Sequence, residues 1–542
     1  MSFVVVVGTS RVGAAMVLGL ACLACPAVAS AEPAAFASGV TAGDVSSTSA
    51  ILWTRAQRVG AVGLRMAPVS RLATCSSTAA PPAGAKPEGL VRRTLMARAG
   101  ADYTVRTTVR GLSPATRYFY RFCQGTGHSR LGVLTTAPRT TANSTVRFAV
   151  TGDADGTINP ATGAPAYNRF EVYRRIAAEK NDFNVNLGDV MYSDSAVAGV
   201  PVALSLEDKW AKYRLNLNYP NLRRLRAAAP LYNHWDDHEW IDNFSKPVFG
   251  QGLFQAGAKA FLDYNPAKYR PATGLYRRFR WGRNVEVFFL DERAFRSAPA
   301  SVNPACNNAT TGLPDPLPQL PQRLRDTLAT QVGLPPGAAA AVSPACIATL
   351  NDPSRTMLGG AQLRAFENAV SRSKAAFKII MNEVPIQALY WDPYDRWEGY
   401  AAERRALLTY LHARVRNVVF LTTDFHANLV NTVRLGTFPE EGPSVDTGFV
   451  DVVTGPVALK TFAVDTDLKT GVPGASQFIR AFLKAPRPLG LEMRCAALDV
   501  YSYAQITATS KAVTIALRDA QGRPIQETPQ GPPCLPFTIP RR

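Results

Sequence analysis

The 542-residue chain has no Lys/Arg-rich run and no alternation of basic with aromatic residues, so its formal charge of +19 is spread rather than gathered into a nucleic-acid footprint. Nucleic acid is therefore not an expected partner, although the charge favours encounter with phosphate-rich ones. No Gly-x-Ser-x-Gly turn follows any predicted strand, which removes the elbow that presents a serine nucleophile. Cys75, Cys123, Cys306, Cys346, Cys495 and Cys534 contain no C-x-x-C pair, which argues against a zinc or redox motif. The N-terminal apolar run, residues 16–28, is shorter than the roughly 20 residues of a membrane span. With 46% hydrophobic residues the chain has the composition of a folded protein.

What stands at the N-terminus reads as an export signal. The apolar run is followed by Ala29-Ser30-Ala31, a small-residue cleavage pattern, so residues 1–31 form a leader and the mature chain starts at Glu32. Residues 2–10 carry no charged side chain, and a start codon assigned too far upstream explains the odd apolar stretch at 3–7. Cys22 and Cys25 each close a Leu-Ala-Cys sequence, which leaves a lipid anchor as the alternative to free release. The six cysteines beyond the leader suit an oxidising compartment, secreted, periplasmic or at the cell surface. The simplest pairing joins neighbours: Cys75 with Cys123, Cys306 with Cys346, Cys495 with Cys534.

Residues 32–138 read as a small all-β domain of the immunoglobulin or fibronectin kind. Residues 47–55 and 103–109 alternate apolar with polar, and Leu112-Ser-Pro-Ala-Thr-Arg-Tyr-Phe-Tyr120 is a turn leading into an aromatic strand. A Pro/Ala/Gly loop spans 81–87, and 139–144 is a linker. From 145 to 542 strands and helices alternate, the pattern of largely parallel sheets covered by helices. Strands are expected at 146–150, 183–187, 285–290, 377–381 and 418–421, helices at 166–179, 206–214, 222–228, 361–373 and 402–415, and two consecutive strands at 501–507 and 512–517. A Pro/Cys-rich insertion, residues 298–355, has little periodicity and reads as a stapled surface excursion at or beside the rim of the site.

Four segments carry the chemistry: Thr151-Gly-Asp-Ala-Asp155, Leu187-Gly-Asp-Val-Met-Tyr192, His234-Trp-Asp-Asp-His-Glu239 and Thr423-Asp-Phe-His426. Each follows a buried-strand pattern, and ligands in α/β sheets gather beyond the carboxyl ends of strands. Carboxylates and imidazoles crowded there are costly to desolvate unless cations sit among them, which points to a pair of metal ions. Asp189 suits a bridging carboxylate, with Gly188 permitting close approach. Asp237 is a ligand to the second ion, Asp424 and His426 complete both shells, and Asp153 and Asp155 share their spacing. His238 is left to act on a phosphoryl oxygen or a leaving group. His128 and His412 lie outside the set.

These motifs, with Phe36-Ala-Ser-Gly-Val-Thr-Ala-Gly-Asp44, Ile51-Leu-Trp-Thr-Arg55, Leu290-Asp-Glu-Arg-Ala-Phe-Arg296 and Trp397-Glu-Gly-Tyr400, resemble the alkaline phosphatase D (PhoD-like) family of calcineurin-type metallophosphoesterases over nearly the whole mature chain. The resemblance implies a four-layer α/β/β/α metallophosphoesterase domain behind the β-domain. It also implies hydrolysis of phosphate monoesters or diesters outside the cytoplasm, the substrate being a small molecule, a phospholipid or a cell-wall polymer. The family's metals, iron with calcium, would be held by bridging Asp189, by Asp237 and Asp424 on one ion, and by His426 and Tyr192 on the other; Asn382 falls where the wider superfamily places a further ligand. Asp153 stands where the family has a cysteine, a harder donor at which manganese or calcium competes better. Thr423 stands where the family has glycine and should crowd the backbone, and the twin-arginine export motif is missing. Arg293 or Arg296 is expected to offset developing charge. The runners-up are a phospholipase D-like diesterase acting on lipid headgroups and a non-catalytic surface-binding protein with a structural metal site.

Overall fold

Alternating apolar residues in the N-terminal segments build two antiparallel sheets. In the computed structural model, which describes residues 34–70, 73–75, 91–331, 339–438 and 442–542, strands Val40–Gly43, Ser49–Arg55 and Thr104–Arg110 form one sheet. Strands Val91–Ala97, Gly60–Ala67, Arg117–Gln124 and Gly127–His128 form the other, with Gly132–Thr135 also pairing Arg117–Gln124. The expected aromatic strand is anchored by Tyr118, whose hydroxyl accepts from the Ser113 N–H at 2.9 Å, as in a tyrosine corner. The expected leader and the 81–87 loop lie outside the described residues.

The rest of the chain is two sheets packed face to face. The first runs Leu231–His234, Phe183–Leu187, Val146–Thr151, Ser502–Ala508, Ala512–Asp519, Phe537–Pro540, its first three strands parallel and the others antiparallel. The second runs Arg277–Trp281, Val285–Phe289, Phe377–Asn382, Val418–Thr422, Val445–Val453, Asn428–Leu435, Cys495–Ala497, with a parallel centre and antiparallel edges. Parallel strands covered on both faces need apolar residues throughout, and Phe183–Leu187, Val285–Phe289, Phe377–Asn382 and Val418–Thr422 are buried at every position. Their inner faces share one core, in which Phe183 stacks on Phe148 and packs on Trp281. Helices Glu171–Ala178, Leu206–Leu217, Pro220–Ala228 and Lys246–Tyr264 cover the first sheet outside, and Gly360–Ser371 and Ala401–Arg414 cover the second. The result is the four-layer α/β/β/α arrangement.

Three features depart from the sequence expectation. The helix expected over 166–179 spans only Glu171–Ala178, because the Asn168 side chain accepts from the Phe170 N–H and donates to the Val457 carbonyl, and Phe170 has φ of 59°. The insertion is not structureless: it holds helices Gln322–Gln331 and Pro344–Leu350 around a buried Asp315–Arg325 pair. Strands Arg277–Trp281, Asn428–Leu435, Val445–Val453 and Phe537–Pro540 were not expected, since strand formation depends on packing against the neighbouring strands more than on the segment's own pattern. The disulfides are Cys75–Cys123, Cys306–Cys346 and Cys495–Cys534, the neighbour pairing. Among the described residues no helix is long and apolar enough to cross a membrane.

The N-terminal sheets are fastened to the larger part by buried polar contacts. Arg277 pairs with Asp44 at 2.7 Å, the other Asp44 oxygen accepts from the Lys268 N–H at 2.7 Å, and Trp53 donates to the Asp263 carbonyl at 2.7 Å. Asp102 takes Arg55, Arg214 and the Tyr264 hydroxyl together. Removing one member of a buried pair strands the other charge, so Asp44→Ala should lose about 3–5 kcal/mol of stability. The urea midpoint measures it, and a wild-type midpoint would mean that the contact does not hold these layers together.

Candidate metal centre

The ends of three parallel strands of the first sheet, Val146–Thr151, Phe183–Leu187 and Leu231–His234, and of one parallel strand of the second, Val418–Thr422, meet at one edge of the sandwich and deliver the four motifs. After each strand the chain must turn sharply, and the residues at the turns adopt left-handed backbone: Asp153 has φ of 61°, Asp189 47°, Asp424 67° and His426 52°. Such conformations are disfavoured for residues with a Cβ, and Asp tolerates them best. Gly188, at φ of 88°, admits no substitute, because a Cβ there would meet the Asp236 Cβ at 2.6 Å. Thr423 is accommodated by its neighbour across the sheets: a Cβ on Gly152 would lie 2.9 Å from the Thr423 methyl, and the Thr423 hydroxyl donates to the Leu187 carbonyl.

Three overlapping sets of ligand atoms result, each set lying within 4.8 Å: Asp153, Asp189 and His426; Asp189, Asp237 and His238; Asp236, Asp237 and Asp424. Asp189 belongs to two of them. Tyr192 reaches the first set, its hydroxyl 3.0 Å from Asp189 Oδ2 and 3.4 Å from His426 Nε2. Several acceptors are buried with no hydrogen-bond partner among the described residues, namely Asp153 Oδ2, Asp236 Oδ2 and Asp237 Oδ1, the last lying 3.6 Å from the Arg293 guanidinium; both amide atoms of Asn382, at the end of its strand, also lack one. Orphaned buried oxygens in an acidic cluster are what a cation would satisfy, so this donor set fits metal ions. Burial pushes Asp153, Asp189 and Asp424 well above the carboxylate range, with the Asp236 charge adding to it, while burial opposed by Arg293 leaves Asp236 at about 7. Burial raises the Tyr192 phenol as well, and lowers His426 to about 3.

Not all the expected residues sit in these sets. Asp155 accepts from the Thr157 N–H at 2.9 Å and from the Ser195 hydroxyl, organising the loop instead. His234 points into the sandwich, with Nε2 2.6 Å from the Leu290 carbonyl and 3.1 Å from Glu383. Arg293 is wholly buried and binds Asp236, Asp395 at 2.6 Å and Asp424 at 3.3 Å; Arg296 binds Asp395 at 2.6 Å and the Asn243 carbonyl at 2.6 Å. Both guanidinium groups are thus engaged by protein oxygens rather than turned to a substrate, which replaces the contact expected of them.

Sequence reasoning missed three groups. Asp194 accepts from His238 Nδ1 at 2.6 Å, and its second oxygen takes the Asp242 N–H at 2.6 Å. Burial would lower His238, but Asp189, Asp237 and Asp194 outweigh it and hold the imidazole well above its ordinary value. Glu239 ties two motif loops together, taking the N–H groups of Val190 and Asp236 at 2.7 Å each. Asp395 joins the two arginines. Asp194, in Tyr192-Ser-Asp194, was the one with a signal, an acid five residues beyond Asp189. Two cavities open on the centre, one of about 360 Å³ beside Tyr192, His238 and His426, the other of about 560 Å³ beside Asp424 and His426. Leu313, Pro314 and Pro316 of the insertion line the second, so the insertion reaches the rim.

Sequence comparison places this geometry among known proteins. The model of the PhoD-like phosphatase family matches residues 161–517, and that of the PhoD-like phosphatase N-terminal domain matches residues 22–138. Alkaline phosphatase D of Bacillus subtilis (strain 168) is 25% identical over 451 residues, an alignment covering 74% of this chain and 66% of that protein, just under two thirds of its length. A solved structure of PhoD superposes with a TM-score of 0.68 at 20% identity, covering 94% of this chain and 91% of the other. A purple acid phosphatase from yellow lupin (Lupinus luteus) seeds superposes with a TM-score of 0.52 at 13% identity, covering 93% and 74%. The two structural likenesses establish the fold.

The raised carboxyl groups make a prediction about the metal-stripped protein. They keep protons when folded at pH values where the unfolded chain, with carboxyl pKa of about 4, has lost them. Folding therefore binds protons, and stability falls as pH rises from about 4 through the folded value near 7 of Asp236. The melting temperature of stripped protein should be lower at pH 8 than at pH 5.5, and restored at pH 8 by divalent or ferric ions. Calorimetry at the two pH values checks this; a stripped protein more stable at pH 8, and indifferent to added metal, would show that the cluster is not held open for cations.

Proposed function

The chain belongs to the PhoD-like phosphatase family, and from that premise we propose that it is an exported metal-dependent hydrolase of phosphate monoesters or diesters. The observation that carries the reading is the set of orphaned, buried acceptors shared between overlapping ligand groups, with Asp189 common to two of them. Asp153, Asp189, His426 and Tyr192 would hold one ion and Asp189, Asp237, Asp424 and Asn382 the other. Iron with calcium is the family's pair; Asp153, a hard oxygen donor, also suits manganese. A metal pair supplies Lewis acidity toward the phosphoryl oxygens and an activated water for in-line attack.

The protein's own groups do the rest. Asp194 fixes the His238 ring through Nδ1 and stabilises its protonated form, leaving Nε2 for a substrate oxygen. His238 would donate its proton to the leaving oxygen as the ester bond breaks. Arg293 and Arg296 act as positioning residues: Arg293 holds Asp236, Asp395 and Asp424 in register without touching substrate. The disulfides support work in an oxidising space outside the cytoplasm.

Asp189→Asn keeps the shape but removes the charge between two cations, and should lower activity by at least about a hundredfold with loss of bound metal. Full activity and full metal content in that variant would sink the assignment. His238→Asn should lower kcat while metal content stays near wild type, and Asp194→Asn should lower kcat less and move the alkaline limb of its pH profile to lower pH, because the protonated imidazole loses its partner. Metal loss in the His238 variant would make it a ligand. Metal analysis and visible spectra of the native protein against Tyr192→Phe test the first site, where a ferric phenolate absorbs and a colourless divalent pair does not.

A further inference from the structure

The cavity beside His238 holds more than a phosphoryl group requires. Its volume of about 360 Å³ lies in the range of small-molecule sites, roughly 300–1,000 Å³. One end is the centre already described, reached through Tyr192, His238 and His426. The charges facing the remainder are nearly all matched. Asp194 is bonded to His238, Asp465 takes Lys469 at 2.8 Å, and Asp242 is solvent-exposed, 3.8 Å from His238 Nε2.

Two donors are not matched. Lys460 is half-buried in the cavity wall, directly before helix Phe462–Thr470, and its ammonium has no carboxylate or hydrogen-bond acceptor among the described residues. Tyr167 lines the same cavity, and its hydroxyl is buried in the wall without a hydrogen-bond partner among the described residues. A half-buried lysine without a counter-ion leaves its charge unmatched, and an unsatisfied buried hydroxyl is unfavourable. Together they are donors awaiting an acceptor that arrives with a ligand.

Resting on the phosphoesterase reading, we infer that Lys460 and Tyr167 form a subsite for a second anionic group of the substrate, a carboxylate or phosphate carried beyond the scissile phosphate. The arginines that could have served are sealed behind the carboxylates, which leaves Lys460 to supply the counter-charge in this cavity. The ammonium recognises charge with little demand on geometry, and the tyrosine adds a directed hydrogen bond.

The test uses non-hydrolysable probes on the metal-loaded full-length protein: methylphosphonate, and phosphonocarboxylates of increasing chain length, with binding read by calorimetry. The best phosphonocarboxylate should bind wild type at least tenfold more tightly than methylphosphonate. That advantage should fall below threefold in Lys460→Met and be reduced in Tyr167→Phe. A bisphosphonate series distinguishes a phosphate from a carboxylate as the preferred group. No advantage in wild type, or an advantage that survives Lys460→Met, overturns the subsite while leaving the phosphoesterase reading intact. Wild type that binds no phosphonate at all overturns both. In turnover, Lys460→Met should lower kcat/KM for esters bearing a second anion at least tenfold more than for an uncharged alkyl or aryl phosphate; equal losses on both would place Lys460 on the scissile phosphate instead.

Discussion

Mutual repulsion among buried carboxylates governs this molecule. Asp153, Asp189, Asp236 and Asp237 are buried where two sheets end, with half-buried Asp424 beside them, so little water is left to screen their charges. Arg293 answers part of that charge, lying against Asp236, Asp237, Asp395 and Asp424. Burial first, and then the charge that one guanidinium cannot neutralise, hold these carboxyl groups above their usual range, and cations would answer both. Left-handed backbone at four of the motif residues is the local consequence, since only sharply turned chain brings carboxylates from different strands so close.

Holding such a cluster requires a rigid surround. Glu239 fastens the loops after two strands of the first sheet, and Lys209, buried and bonded to Ser193, the Glu239 carbonyl and the Trp240 carbonyl, supports the same loops from behind. The N-terminal sheets contribute from further away, through Asp44 to Arg277 and on to the Asn233 carbonyl, next to the His234 that opens one motif. The insertion contributes at the other side, its Arg325–Asp315 pair and Cys306–Cys346 link setting the residues that edge the larger cavity. Thr423 and Gly152 show the same mutual dependence at the scale of one methyl group.

Much of this was legible because its signals are local. Runs such as Phe-Asn-Val-Asn-Leu at 183–187 announce a strand with both faces covered, and a Gly-Asp immediately after such a run announces a turn, which takes on functional meaning from the three other motifs that share its position. Asp194 and Asp395 were harder to see, because an acid on a loop has no periodicity and acquires meaning only from the histidine or arginine it meets. Arg293 and Arg296 misled in the opposite sense. They were expected to offset developing charge on the substrate, but nothing in the sequence tells whether a guanidinium turns outward or is closed off by carboxylates from other segments.

The chain's own sequence determined the alternation of strands and helices, the family and the residue types available for chemistry. These follow from side-chain size, polarity and spacing within a few residues. Tertiary structure alone decided which acids converge, that Asp155 and His234 turn away, and that Lys460 and Tyr167 are left without partners in one cavity. The physical reason is that desolvation and Coulomb energy depend on distances between groups hundreds of residues apart, and those distances exist only once the two sheets have closed on each other.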